Sequence, residues 1–369
     1  MALLIGYYLL SIIGIIKKRS KLLTILMLAM MWIVFGLNTY NGDFGNYSWI
    51  YQNIQKPSYW AEFEPLYNVL MYICSILGLS FIQFRMVFGG IYLILLYIAI
   101  SKYTENKAEV LGLYMLFPFL SFVAVIRSGF AGVLIVLAYH EIIADKNNKL
   151  KFWIYFIAAC LIQYTSVFFV FYYFLRKKEF KKNSVLLVIC ILIGGFGAYY
   201  SGLLYRIVSL LTSSYRLLKW FIPQASGQEP RWILYLSILD LMCLVLAYLS
   251  RSENSISDKV WSARNPYSED IFIISIAMLV FIPTFFVTNA SIRFIWQFLL
   301  LIIICYAKDD ECRFPNENIQ RLGFSRKMIL LLAVLIFFSY YSNLPYQGTE
   351  NDGRLVFQNN LIYGEYDPN

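Results

Sequence analysis

The sequence predicts an all-α, polytopic integral membrane protein with about twelve transmembrane helices. Three observations predict it. Of 369 residues, 60% are hydrophobic and only 14% are charged, whereas a soluble globular domain carries about 25% charged residues. Apolar runs long enough to span a bilayer recur along the whole chain. Lys and Arg, which bring the formal net charge to +9, gather in the gaps between those runs. That placement reads as a topology signal and as contact with anionic lipid. The lipid bilayer is therefore the expected partner, and nucleic acid is not. The 30 Tyr, 30 Phe and 8 Trp suit rings at headgroup level and bulky packing between helices.

The first run, residues 1–16, is apolar from the start and meets Lys17, Lys18 and Arg19 only at its end. A signal peptide has the reverse order, with a small-residue cleavage site after the apolar stretch. The run therefore reads as a first transmembrane helix whose C-terminal end is cytoplasmic. A span needs roughly 20 mostly apolar residues. On that rule further spans fall near 21–37, 65–81, 86–101, 108–126, 128–144, 152–175, 184–200, 231–249, 270–288, 291–307 and 328–344. Residues 1–369 then form a single membrane domain, without a soluble domain or an internal repeat.

Three polar segments remain. Residues 38–64 are aromatic, acidic and nearly free of Lys and Arg; residues 201–230 alternate apolar and basic residues at helical spacing, which suits an interfacial helix. The tail, 345–369, carries one basic residue, Arg354. Setting the basic clusters Lys17–Lys21, Arg176–Lys182 and Arg313–Lys327 inside and counting one crossing per span puts these three segments, residues 289–293 and both termini outside. One loop resists. Lys146, Lys149 and Lys151 fall outside on this count. Bringing them inside requires the stretch 152–175 to dip and return around Gln163, and one upstream segment to fail to cross.

Charges buried in a bilayer are expensive, at about 2.5–3.5 kcal/mol for a central Arg on insertion scales. Arg127 lies between long apolar runs, and Arg293 lies near the outer end of its helix. Each needs a carboxylate or a bound anion, and Asp240 is the main buried acid on the helices. The structural alternative is an Arg that binds carbonyls or snorkels to headgroups. The first outer loop adds Asp43, Glu62 and Glu64. Asp43 stands among Gly42 and Gly45, which allow a tight backbone. Glu64 precedes Pro65, where a carboxylate can simply favour a helix N-terminus. The six cysteines show no paired spacing and read as free thiols. No metal site and no cofactor is expected. His140, the sole histidine, reads as structural. An outer carboxylate beside arginines permits a mechanism in which the acid deprotonates an attacking hydroxyl while guanidiniums hold a diphosphate leaving group.

Several short motifs resemble a known family. They are Asn41-Gly42-Asp43-Phe44-Gly45-Asn46-Tyr47, Glu64-Pro65-Leu66-Tyr67, Arg127-Ser128-Gly129-Phe130-Ala131, Leu161-Ile162-Gln163-Tyr164-Thr165-Ser166 and Arg293-Phe294-Ile295-Trp296-Gln297-Phe298. Together, across residues 38 to 310, the chain is similar to the EpsG family of exopolysaccharide proteins, regarded as Wzy-type polymerases. The resemblance implies a GT-C-like membrane glycosyltransferase. Such an enzyme polymerises undecaprenyl-diphosphate-linked oligosaccharides at the outer leaflet of the bacterial plasma membrane. A flippase and a chain-length regulator of the same pathway are implied partners.

By the same resemblance Asp43 and Glu64 become candidate bases, Arg127 and Arg293 candidate diphosphate ligands, and Tyr47, Tyr67, Gln163 and Trp296 candidate substrate contacts. Family members often carry histidine where this chain has Gln163, and glutamine cannot relay a proton near neutral pH. A polyprenyl-glycan flippase and another polyprenyl-phosphate glycosyltransferase or ligase are the competing expectations.

Overall fold

The computed structural model describes residues 2–60, 63–144, 146–175, 184–211, 218, 222, 230–256, 265–279, 282, 292–311 and 360–362. Among them every regular element is helical. The chain divides into two compact units. The first comprises Met1–Val167, Tyr306–Cys312 and Val334–Asn369, and the second Phe168–Cys305 and Arg313–Ala333.

The first unit opens with α1 (Ala2–Ile16) and α2 (Lys21–Gly36). Ser20 starts α2 by accepting the Leu23 amide on its side chain, 3.3 Å away, which satisfies one orphan donor of the first turn. Helix α3 (Phe44–Asn53) and a short 3-10 turn (Pro57–Tyr59) lie within the polar segment that follows. Then come α4 (Pro65–Ile76) and α5 (Phe81–Tyr103), the latter opened by a reciprocal Ser80–Gln83 cap. Gly78, at φ +73°, makes the reversal between them, in a left-handed conformation that glycine adopts without strain. Next are α6 (Lys107–Leu116), α7 (Phe119–Ala124), α8 (Ile126–His140) and α9 (Lys149–Ile162).

Among the described helices, α5 is long and apolar enough to cross a membrane, while α1, α2, α4 and α8 are shorter apolar helices. Their outward faces are apolar. Ile91, Ile94 and Ile98 of α5 are exposed while Arg85 on the same helix is wholly buried, the reverse of a water-facing surface. Helix α1 meets α6 closely at Gly112, where an added Cβ would lie 2.6 Å from the Ser11 carbonyl oxygen. That approach lets Ser11 Oγ donate to the Gly112 carbonyl at 2.8 Å and Tyr7 Oη to that of Met115 at 2.5 Å.

Contacts sort the loops of this unit to its two ends. At one end Lys18 pairs with Glu109 at 3.2 Å, Arg19 Nε donates to Asn106 at 2.9 Å, and Lys102 pairs with Glu141 at 3.3 Å. Lys146 Nζ stands 2.6 Å from His140 Nε2 at this end too. At the other end Arg85, near the start of α5, donates to the carbonyls of Phe35 on α2 and Val123 on α7. Tyr51 Oη of α3 reaches the Leu79 carbonyl at 2.8 Å in the α4–α5 turn. Helix α5 therefore runs from the second end to the first, α6 and α7 return, and α8 runs back to His140.

The segment expected as a span over 65–81 is helical over Pro65–Ile76 and reverses at Gly78 before α5. The expected 108–126 span is broken at Pro118, which cannot donate to the helix ladder. The expected 152–175 span ends at Ile162 and continues as a 3-10 stretch (Tyr164–Val170) and α10 (Phe171–Leu175). Lys146, Lys149 and Lys151 lie at the same end as Lys18 and Arg19. Of the tail, residues 360–362 are described. Leu361 donates its amide to the Leu37 carbonyl at 3.0 Å, and Asn360 Nδ2 reaches that of Ile33 at 3.2 Å.

The second unit holds α10, α11 (Ser184–Tyr200), α12 (Leu203–Leu211), α13 (Pro230–Ile256), α14 (Ser268–Met278) and most of α15 (Ile292–Glu311). Helices α13 and α14 run antiparallel, tied by Arg251 to Glu269 at 2.7 Å. Leu203, Ile207 and Leu210 of α12 are exposed, on the segment expected to lie along an interface. The five described cysteines, Cys74, Cys160, Cys190, Cys243 and Cys305, are free thiols.

Candidate functional site

The richest polar cluster is built at the end of the first unit away from the basic loops. Helices α7 and α8 meet in a sharp elbow at Val125. Gly129 makes it possible, because a Cβ there would lie 2.8 Å from Phe122 Cβ. The elbow puts Arg127 in the first turn of α8, where the exposed amides and the helix dipole disfavour a cation. A carboxylate supplies the compensation. Glu64, 6% exposed, is the N-cap of α4 with Pro65 at the first helical position. It does not cap its own helix with its side chain. Instead Oε2 accepts from Arg127 Nη1, and Oε1 accepts the Tyr164 backbone amide at 3.0 Å.

Aromatic rings enclose this pair. Arg127 Nε donates to Tyr47 Oη at 3.1 Å. The Arg127 Cζ lies 4.3 Å from the Phe63 ring centroid, 5.6 Å from that of Tyr47 and 5.7 Å from that of Tyr67. Phe63 stacks on Tyr47 at 5.0 Å and meets Tyr67 edge-on at 5.5 Å. The ring faces attract the guanidinium and exclude water, which strengthens the ion pair. Asn68, fully buried, donates Nδ2 to the carbonyls of Trp60 and Phe63, both at 2.7 Å. It thus holds the approach to Glu64 before substrate arrives.

Of the residues singled out from the sequence, Glu64, Arg127, Tyr47 and Tyr67 come together here. Gln163 is adjacent. It ends α9 in an extended conformation and donates Nε2 to Thr165 Oγ1 at 3.1 Å. In doing so it aims the next amide, that of Tyr164, at Glu64. Asp43 heads α3, half-buried, one turn before Tyr47. The alternative in which Glu64 merely serves its own helix N-terminus is superseded by its pairing with Arg127.

Arg293 and Trp296 belong to α15 in the second unit. Trp296 is buried, and the Arg293 side chain lies outside the described residues, as does Glu62. Asp240, expected as the buried anionic partner, is buried on α13 in the second unit, and neither carboxylate oxygen has a hydrogen-bond partner. His140 packs its ring against Tyr103 at 5.0 Å among the basic loops.

Sequence reasoning missed Phe63, Asn68, the Tyr164 amide and Arg85. The signal for Arg85 was present. A lone arginine in Phe-Ile-Gln-Phe-Arg85-Met-Val-Phe is as costly as Arg127, but a span drawn to begin at residue 86 left it in a loop.

No curated protein and no solved structure matches the chain. The EpsG family model matches residues 21–351, a stretch that contains every residue of the cluster. The chain therefore belongs to the EpsG family, membrane proteins of polysaccharide biosynthesis.

Proposed function

We propose that this protein is a Wzy-type glycosyltransferase of the plasma membrane that joins oligosaccharide repeat units carried on undecaprenyl diphosphate. The observation that carries the reading is the buried Arg127–Glu64 pair inside an aromatic enclosure, at the end of the first unit remote from Lys18, Arg19, Lys102 and Lys146. With those basic loops cytoplasmic, the cluster faces the extracytoplasmic side, where lipid-linked repeat units are joined. About twelve hydrophobic segments are consistent with a multi-pass, GT-C-like arrangement.

Arg127 binds the diphosphate of the donor through charge-assisted hydrogen bonds. Glu64 takes the proton of the acceptor hydroxyl. The acceptor oxygen bonds to the anomeric carbon, the bond from that carbon to the phosphate oxygen breaks, and the lipid diphosphate leaves with the electron pair. Tyr47 and Tyr67 offer faces for sugar rings. Asp43, one turn from Tyr47, and Gln163, beside Tyr164, orient the acceptor. The flippase and chain-length regulator of the pathway are the expected partners.

The test is to incubate the purified full chain with one synthetic lipid-linked repeat unit. A ladder of products is expected. Arg293→Ala and Asp43→Ala should remain inserted and abundant yet yield no ladder. A single added sugar would instead identify a transferase, and movement of the lipid across liposomes without any product a flippase. Arg293→Lys should be poor, since an ammonium lacks the planar fork that grips two phosphate oxygens.

A further inference from the structure

Arg85 is the largest fully buried side chain among the described residues, at 0% exposure. Its Nη2 donates to the Phe35 carbonyl at 2.9 Å and to the Val123 carbonyl at 3.1 Å. Both belong to the last turns of their helices, α2 and α7, whose unsatisfied carbonyls carry partial negative charge. The rings of Phe35, Phe44 and Phe81 lie 5.3, 5.6 and 6.0 Å from its Cζ. Dipoles and rings thus temper the charge, and no carboxylate pairs with it among the described residues. The hydrogen-bonding capacity is another matter. A guanidinium has five N–H donors, Nη2 uses two, and Nε and Nη1 have no acceptor among the described residues.

A second orphan stands beside it. Tyr67, also 0% exposed, has no partner for its hydroxyl among the described residues. Its ring meets Phe84 at 5.8 Å and Phe88 at 5.4 Å. These residues bracket Arg85 on α5. The same ring is 5.7 Å from Arg127 Cζ. Tyr67 therefore packs between Arg127 and the helix that carries Arg85. Buried donors left unmade are destabilising and rare in folded proteins. Here three, Arg85 Nε and Nη1 and the Tyr67 hydroxyl, lie on packed neighbouring helices beside the Arg127 cluster. What they lack is a group that only accepts, carries negative charge and offers several oxygens. A phosphoryl group fits that description.

We propose that Arg85 and Tyr67 form a second phosphoryl seat beside Arg127, so that the site takes a pyrophosphate in preference to a single phosphate. This deepens the proposed function and rests on its reading that Arg127 binds the donor's diphosphate. Arg127 takes one phosphoryl group by exchanging its bond to Glu64. Arg85 Nε and Nη1 with the Tyr67 hydroxyl take the other. The Glu64 carboxylate released from Arg127 is then free to accept a proton, which ties the base to the arrival of the donor.

The experiment compares binding of a polyprenyl monophosphate and a polyprenyl diphosphate of equal chain length to the purified full chain. The wild-type protein is expected to favour the diphosphate by about tenfold or more. Tyr67→Phe should bring that ratio close to one while monophosphate affinity holds. Arg85→Lys should do the same, because one ammonium cannot serve two helix ends and a phosphoryl group together. Tyr67→Phe decides the matter even where Arg85→Lys fails to fold, since the hydroxyl it removes bonds to nothing among the described residues. A Tyr67→Phe protein that keeps the wild-type ratio overturns the second seat, as does a wild-type protein that binds the two lipids equally. A wild-type protein that binds neither lipid overturns the diphosphate reading itself.

Discussion

The two ends of the first unit hold ionic pairs of the same kind in different surroundings. At the basic end Lys102 remains 32% exposed while it pairs with Glu141, and the Glu105 side chain paired with Lys107 is 67% exposed. Water and salt screen such pairs, which are worth about 0–1 kcal/mol each. At the aromatic end Glu64 and Arg127 are 8% and 15% exposed and ringed by Phe63, Tyr47 and Tyr67. A buried pair gives up solvation for mutual attraction and is sensitive to the loss of either partner. The comparison separates two uses of charge. One end keeps its charges partly in solvent, and the other holds an organised, dehydrated ion pair.

The largest effect should come from breaking the buried pair on one side only. Glu64→Ala leaves a buried cation at a helix N-terminus and should cost about 3–5 kcal/mol of stability, read as a fall in thermal midpoint of the detergent-solubilised protein. The double variant Glu64→Ala with Arg127→Ala should recover part of that loss, and additive losses would show that the two side chains do not act on each other. Next comes Gly129→Ala. Its new Cβ would press on Phe122 Cβ at 2.8 Å, and opening the elbow should cost about 1–3 kcal/mol. Product formation should fall with it, because Arg127 is displaced. Asn68→Ala should cost about 1–3 kcal/mol by leaving the Trp60 and Phe63 carbonyls unpaired. At the basic end Lys102→Met should change stability by less than about 1 kcal/mol. A large loss there would erase the contrast between the ends.

The sequence made the helical, lipid-facing character plain, because composition and run length report directly on the surrounding solvent. It also showed the pieces of the site, since Glu64-Pro65, Tyr47 and Arg127 stand in short recognisable motifs. It did not show who pairs with whom. Glu64 meets a side chain 63 residues on and an amide 100 residues on, and no periodicity along one chain encodes such distances. Hydropathy also drew 65–81 as one run, because apolar length does not register a reversal at Gly78. Pro118 carried its own signal, a missing donor in mid-run, that a window average smoothed away. Arg85 was lost to a boundary placed one residue too late.

The short seam between residues 360–362 and the end of α2 has a practical consequence. Leu361 and Asn360 occupy the carbonyls of Leu37 and Ile33, just ahead of the segment that carries Asp43 and Tyr47. Deleting the chain from residue 360 onward would hand those carbonyls back to solvent and unfasten the hinge from which that segment departs. Purification handles and fluorescent fusions therefore belong elsewhere than on this tail, where a bulky appendage would tug on the end of α2.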